Sequence, residues 1–212
     1  MTIRPVLAEE SDARTRLAEL GLTPEIIQEA LLAGELHRRR CTRNHPPSYA
    51  GYGAWAETIC RLGELKRPDN WVRRDPSNLS LIVSPDESVA LAVATGDERT
   101  GRNGMPHPRT KYGKGPTVLT AVERNAEQLL LFDSARREKA KRPPLTWFLL
   151  VRRGRGEIRW EVSLPDAVDD EGYIVSWSHR IILEPISLED SEEREPLEPT
   201  DEIDIEVPAR EE

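Results

Sequence analysis

The sequence contains few cysteines and no long apolar run, and both absences restrict the kind of protein it can encode. Two cysteines, Cys41 and Cys60, cannot build a framework of several disulfide bonds. No stretch approaches about 18 consecutive apolar residues, the length that a membrane-spanning helix requires. The first residues do not combine a basic segment with an apolar one, as a secretory signal does. We therefore expect a cytoplasmic protein with reduced thiols and no membrane partner.

The sequence also lacks the short motifs of several large enzyme classes. It contains no G-x-S-x-G, no H-E-x-x-H, no C-x-x-C pair of the deaminase type and no Rossmann glycine signature. A Glu-x-Lys triplet of the kind found on nuclease strands occurs at residues 64–66, but it falls in a predicted helix. We assign no catalytic residue and no cofactor, and we interpret the chain as a non-catalytic protein while leaving an enzyme open.

Charge is distributed unevenly along the chain. Residues 184–212 hold thirteen acidic residues and two arginines, so the first 183 residues carry a net charge of +3 although the whole chain carries −8. An acidic segment without aromatic residues is typical of a disordered or interacting tail. We predict a single α+β domain over residues 1–186 and a disordered acidic tail over residues 187–212.

Hydrophobic spacing predicts about three helices within residues 1–70. Ser11 is a candidate N-cap for the first helix, and Thr23 with Pro24 marks the start of the second. A third helix is predicted over residues 54–65. Acidic residues in the first turns of the second helix would meet DNA phosphates unfavourably, so we interpret the first two helices as a plain helical hairpin rather than a DNA-reading motif.

Residues 71–186 show mainly the two-residue periodicity of strands. They predict a mostly antiparallel sheet of about five strands, crossed by one helix that begins near Pro116. In the fourth strand Arg159 and Glu161 lie on the face opposite the apolar residues. The last strand is predicted to alternate without interruption, which places His179 on its apolar face as a core histidine. The predicted strands cover residues 79–83, 89–93, 145–151, 158–164 and 173–183.

A run of arginines closes the second predicted helix. Cations near a helix C-terminus complement the helix dipole, but this run exceeds what a cap requires. Contact with phosphates or with an acidic protein is therefore a second interpretation. Tyr49 and Tyr52 follow in a segment that also contains Gly51 and Gly53. Exposed aromatic residues beside arginines suit the stacking of bases, although they also serve as packing anchors. The arginines of the run are Arg38, Arg39, Arg40 and Arg43.

The same region contains the residue types of a zinc site. His37, Cys41 and His45 are spaced four apart, and Cys60 follows downstream. Two histidines and two cysteines form a legitimate zinc set. The missing C-x-x-C pair and the neighbouring arginines, which would repel a dication, argue against this interpretation. We assign no metal site and leave zinc binding at these four residues open.

Residues 95–117 form a long segment, rich in glycine, proline and charge, before the central helix. Loops of this length are uncommon and are usually functional or disordered. The end of the segment precedes a helix start, where backbone N–H groups and the helix dipole attract anions. Only the last part of the phosphate-loop motif is echoed here, so an ordinary solvated loop is the alternative. The candidate phosphate-binding residues are Thr95, Asp97, Lys111, Lys114 and Thr117.

These observations support three functional hypotheses. The first is a bacterial-type regulatory or adaptor protein whose basic body contacts a phosphate-bearing partner, above all nucleic acid, with a modulating acidic tail. The second is an enzyme that acts on a phosphorylated small molecule and uses residues 95–117 as a phosphate cradle. The third is a protein–protein inhibitor whose acidic tail imitates nucleic acid, so that its partner would be a nucleic-acid-binding protein.

Overall fold

The computed structural model describes residues 6–133 and 143–188. These residues form four α-helices and an eight-stranded mixed sheet, which confirms the α+β class. The helices are α1 (Glu10–Glu19), α2 (Pro24–Arg40), α3 (Tyr49–Lys66) and α4 (Pro116–Asp133). The strands are β1 (Val6–Leu7), β2 (Val72–Arg74), β3 (Leu81–Val83), β4 (Val89–Thr95), β5 (Leu145–Arg153), β6 (Glu157–Val168), β7 (Ile174–Ile182) and β8 (Ile186–Ser187).

The strands follow the spatial order β1-β7-β6-β5-β4-β3-β2, and β8 also pairs with β6. The five predicted strands correspond to β3–β7. The structure adds β1, β2 and β8, each two or three residues long and therefore too short to show an alternating pattern. Two neighbouring pairs, β1 with β7 and β4 with β5, are parallel. The expected mostly antiparallel sheet is thus a mixed one, and α4 belongs to the long crossover that joins β4 to β5.

Helices cover both faces of the sheet because successive strand residues point to opposite sides. Leu149 of β5 belongs to an apolar cluster that includes Leu17 of α1 and Leu31 of α2. The preceding residue, Phe148, belongs to a second cluster with Val122 of α4. The helical hairpin therefore packs on one face of the sheet and α4 packs on the other.

The helix boundaries follow local chemistry, with three corrections to the predictions. Thr23 caps α2 as expected, since its side chain accepts a hydrogen bond from the backbone N–H of Ile26 at 3.4 Å. The predicted cap at Ser11 is wrong, because the N-cap position of α1 is Glu9, two residues earlier, and no side chain caps the helix. Helix α3 begins at Tyr49 rather than at residue 54, and α2 ends at Arg40, so Arg43 of the arginine run lies beyond the helix.

Strand β7 does not alternate without interruption, contrary to the prediction. Irregular pairing with β6 occurs opposite Pro165, and such bulges reverse the face on which later residues lie. Trp177 consequently belongs to the α4-side cluster, whereas Ile181 belongs to the cluster on the helical-hairpin side. Val175, which uninterrupted alternation would place on the same face as Trp177, is 37% exposed. The bulge also turns Arg180 into the interior, where it is 1% exposed.

Most of the predicted acidic tail, residues 189–212, lies outside the described residues. Ser187, the first residue of the predicted tail, pairs with Glu157 in the sheet, and Leu188 is 9% exposed. Among the helices of the described ranges, none combines the length and apolar character needed to cross a bilayer.

Candidate functional site

The long loop of residues 96–115 closes on itself at its base. Gly96 and Thr110 form a β-bridge. The backbone N–H of Asp97 donates to the carbonyl of Arg109 at 3.0 Å, and that of Lys111 donates to Thr95 at 2.9 Å. The two ends of the loop therefore lie side by side at the end of β4.

A buried ion pair holds the first half of this loop on the sheet. Glu161 of β6 and Arg180 of β7 are 0% and 1% exposed, and their side chains approach to 2.5 Å. Glu161 also accepts a hydrogen bond from the backbone N–H of Gly101 at 2.9 Å, and Arg180 donates to the carbonyl of Arg102 at 3.0 Å. The loop thus covers the polar face of β6, and the Glu161–Arg180 ion pair fixes the conformation of the loop.

The second half of the loop is attached to β7. The indole N–H of Trp177 donates to the carbonyl of Pro108 at 2.7 Å. The backbone N–H of Ile174 donates to the hydroxyl of Thr110, and the N–H of Thr110 donates back to the Ile174 carbonyl. Contacts on both halves favour a fixed surface element over a hinged lid.

The predicted phosphate-binding residues of the loop occupy different surroundings. Asp97 accepts a hydrogen bond from the backbone N–H of Arg99, and the Lys111 ammonium lies 5.2 Å from the ring of Tyr112. The Lys114 backbone N–H donates to the Gly172 carbonyl at 2.8 Å, so it is already engaged. Burial lowers the pKa of the Lys114 side chain, which lies just before the start of α4.

Thr117 lines a groove of about 660 Å³ between β3 and the first half of α4. Leu79, Leu81 and Val83 contribute apolar surface to this groove, and Arg124 contributes a charge. Lys111 and Lys114 do not line it. The five loop residues singled out from the sequence are therefore not brought together at one described cavity.

Part of the arginine run has a structural role. Glu35 is 2% exposed, and its carboxylate accepts hydrogen bonds from Arg38 at 2.7 and 2.8 Å and from Arg39 at 3.1 Å. Burial acts to raise the pKa of Glu35, but the hydrogen bonds from Arg38 and Arg39 outweigh it and hold that pKa below its usual value. Arg40 and Arg43 are exposed beyond this cluster.

The two candidate stacking residues project from the first turn of α3 and have different ring partners. Tyr49 stacks on His45 with a centroid distance of 5.0 Å and an interplanar angle of 10°. Tyr52 lies tilted against Trp55 at 5.5 Å. Their exposed fractions are 40% and 65%. Both rings remain available to a ligand, but as separate surfaces rather than as one platform.

The sheet brings another arginine against the same helix end. Arg153, the last residue of β5, donates to the hydroxyl of Thr58 at 3.1 Å, and its Nε lies 3.7 Å from the Glu35 carboxylate. The pKa of Arg153 is lowered to about 10, chiefly by burial and to a smaller extent by the Arg38 guanidinium, while Glu35 opposes the change. Two cations from distant parts of the sequence thus share one buried carboxylate.

Further arginines lie on the other face of the same strand ends. Arg152 and Arg159 are directly paired across β5 and β6, an arrangement that is unfavourable for like charges. Glu98 relieves part of the repulsion, because its carboxylate contacts Arg152 at 3.2 Å and its carbonyl accepts from Arg159 at 2.9 Å. Burial, and then the charge of Arg102, lower the pKa of Arg159.

The arginines of α2, of the loop and of strands β5 and β6 lie around the β5–β6 hairpin turn, where Arg155 is exposed. We name this surface the arginine end. Sequence reasoning identified only the part contributed by α2; the only available signal for the rest was the density of arginine around residues 152–159. The arginine end consists of Arg38, Arg39, Arg40, Arg102, Arg152, Arg153, Arg155 and Arg159.

The residues of the possible zinc site do not assemble. His45 lies in a turn beyond the end of α2, where its ring nitrogen contacts Thr42, and the Cys41 thiol lies 3.5 Å from the His37 carbonyl. Cys60 is exposed on α3. Within residues 6–133 and 143–188, no group of three or more histidine, cysteine or acidic side chains is arranged to hold a metal ion.

Comparison with known proteins gives no relative from which a role could be transferred. No protein-family model, no curated protein and no solved structure matches this chain.

Proposed function

We propose that the arginine end binds the phosphate backbone of nucleic acid. The observation that carries this proposal is the meeting of arginines from α2, from the loop and from the β5–β6 hairpin around one end of the sheet. Arginine is the residue best suited to contact phosphate oxygens with two parallel hydrogen bonds. The role is that of a regulatory or adaptor protein, and no step of it requires catalysis.

The repulsion within the arginine end supports a polyanionic ligand. Arg152 stands opposite Arg159, and Arg38 and Arg102 each lower the pKa of a neighbouring arginine. A ligand that carries many negative charges relieves such repulsion and releases its own counterions, which gives a strong dependence of affinity on salt. Tyr49 and Tyr52 lie on α3, beside the end of α2, where unpaired bases of a single strand could stack on them.

The test measures the binding of fluorescein-labelled single-stranded and double-stranded oligonucleotides by anisotropy over a range of salt concentrations. The variant carries Arg40→Gln, Arg152→Gln and Arg155→Gln, three substitutions at exposed or half-exposed arginines. We expect weaker binding and a shallower plot of log affinity against log salt. The slope should fall by about one for each phosphate that the variant no longer neutralises.

The matched control removes equal charge elsewhere, through Arg14→Gln, Arg61→Gln and Arg73→Gln. Arg14 and Arg61 pair with Glu25 and Glu29 in the first turns of α2, at the opposite end of that helix from Arg40. At 1.5 Å per residue the two ends are about 20 Å apart. If the control variant loses as much affinity and salt slope as the first variant, binding is a net-charge effect and the arginine end is not its site.

A second candidate function, an enzyme or binding protein for a phosphorylated small molecule, is favoured by Lys114. Its ammonium is half-buried, has no carboxylate within ion-pair distance among the described residues, and lies just before α4. Lysines in such surroundings serve as anion ligands or as catalytic amines. Thermal stabilisation by inorganic phosphate or a nucleotide, abolished by Lys114→Ala with Lys111→Ala, would support this function instead.

A further inference from the structure

The described chain reaches the arginine end at its last residues. Strand β8 pairs with the start of β6, with Ile186 opposite Ile158 and Ser187 opposite Glu157. The backbone N–H of Leu188 then donates to the carbonyl of Gly156, in the hairpin turn, at 2.8 Å. The chain runs antiparallel to β6 here, so its last described residue, Leu188, lies at the hairpin turn that contains Arg155.

The residues that follow Leu188 carry the charge opposite to that of this surface. Residues 189–212 include twelve acidic residues and two arginines, a net charge of −10. Ten residues can span at most about 33–36 Å, so the first acidic residues are within reach of every arginine around the hairpin. The tether keeps their effective concentration in the millimolar range, far above that of a separate chain.

We infer that the acidic segment of residues 189–212 occupies the arginine end in the absence of nucleic acid and competes with it for the same arginines. The inference rests on the proposed function for its consequence, since it makes the segment an internal inhibitor of that binding. Its mechanism depends only on two observations: strand β8 ends at the β5–β6 hairpin turn, and the acidic segment and the arginine end carry opposite charges. Nucleic acid would displace the segment, so the measured affinity is the difference between two competing contacts.

The main experiment uses the full chain with all twelve acidic residues of 189–212 replaced by glutamine or asparagine. At about 50 mM salt we expect this variant to bind labelled oligonucleotides at least about tenfold more tightly than the original chain. The difference should shrink as salt rises, because salt weakens the contact between segment and arginines. A control chain with the residues of 189–212 in scrambled order keeps its charge and should retain the original affinity.

A second measurement needs no nucleic acid. A synthetic peptide with the sequence of residues 189–212 is titrated, by calorimetry, into the variant in which the twelve acidic residues of 189–212 are replaced by glutamine or asparagine. We expect salt-dependent binding, weakened at least tenfold by Arg40→Gln, Arg152→Gln and Arg155→Gln in that chain. The substitutions at Arg14, Arg61 and Arg73 provide the same control as before.

The two measurements separate the inference from the proposed function. Oligonucleotide binding that is equally tight with and without the acidic charges would overturn the inference and leave the proposed function standing. Peptide binding that the arginine-end substitutions do not weaken would also overturn it. Peptide binding at the arginine end in a chain that binds no oligonucleotide would support the inference and remove the proposed function.

Discussion

The substitution Glu161→Gln tests whether the buried ion pair holds the long loop on the sheet. It keeps the shape of the side chain but removes the charge that neutralises Arg180, and both side chains are inaccessible to solvent. Removing one partner of a buried pair leaves an uncompensated charge and costs about 3–5 kcal/mol of the free energy of unfolding. For a protein of this size each kcal/mol lowers Tm by about 2–4 °C, so we expect a decrease of about 6–20 °C.

The assay is urea unfolding followed by tryptophan fluorescence, combined with hydrogen exchange of the Gly101 amide. This amide donates to Glu161, so its protection should fall more than that of the central strands. The matched control is Glu29→Gln, which breaks the exposed ion pair with Arg61 and should leave Tm nearly unchanged. Replacing the pair together, Glu161→Leu with Arg180→Met, should restore part of the stability. A cost for Glu161→Gln no greater than that of Glu29→Gln would refute the reasoning.

Three further predictions concern polar groups that are buried or half-buried. Asn125→Ala should lower the free energy of unfolding by at least about 1–3 kcal/mol in a denaturant titration, because Asn125 bonds both backbone groups of Thr146. Burial lowers the pKa of His179 below 6.5. As the pH falls, the unfolded chain therefore binds a proton at His179 before the folded chain does, and the free energy of unfolding should decrease below about pH 6.5. Measurements of Tm against pH should show a smaller decrease in His179→Gln. Arg38→Gln should lower Tm because it removes a partner of buried Glu35, whereas Arg40→Gln should not, as a thermal scan of both variants would check.

Local patterns in the sequence were sufficient for most of the regular elements. Local apolar patterns, mainly of two-residue periodicity, predicted β3–β7, and Thr23 followed by Pro24 predicted the start of α2. These signals lie within a few residues of each other, so they act before the chain has folded. The short strands β1, β2 and β8 carry no such signal, because each exists only through hydrogen bonds to another strand of the sheet.

The bulge in β7 had no local signal either. It arises where β7 pairs irregularly with β6 opposite Pro165, and it places Arg180 beside Glu161 in the interior. From alternation alone Glu161 belonged to a polar face, and only the loop that covers this face makes the residue buried. Whether a charged residue is buried depends on what packs over it. For Glu161 this is the loop around Gly101, which lies about 60 residues away in the sequence.

The sequence by itself determined the uneven charge of the chain, the arginine run of α2 and the acidic character of residues 189–212. Tertiary structure decided which of these charges meet. Arg38 and Arg153 are separated by more than a hundred residues, yet the packing of α2 against the sheet places both at Glu35. Strand β8 likewise brings Leu188, the residue before the acidic segment, to the hairpin between Arg152 and Arg159. Electrostatic interactions depend on distance in space, and strand pairing, which no local pattern encodes, sets that distance.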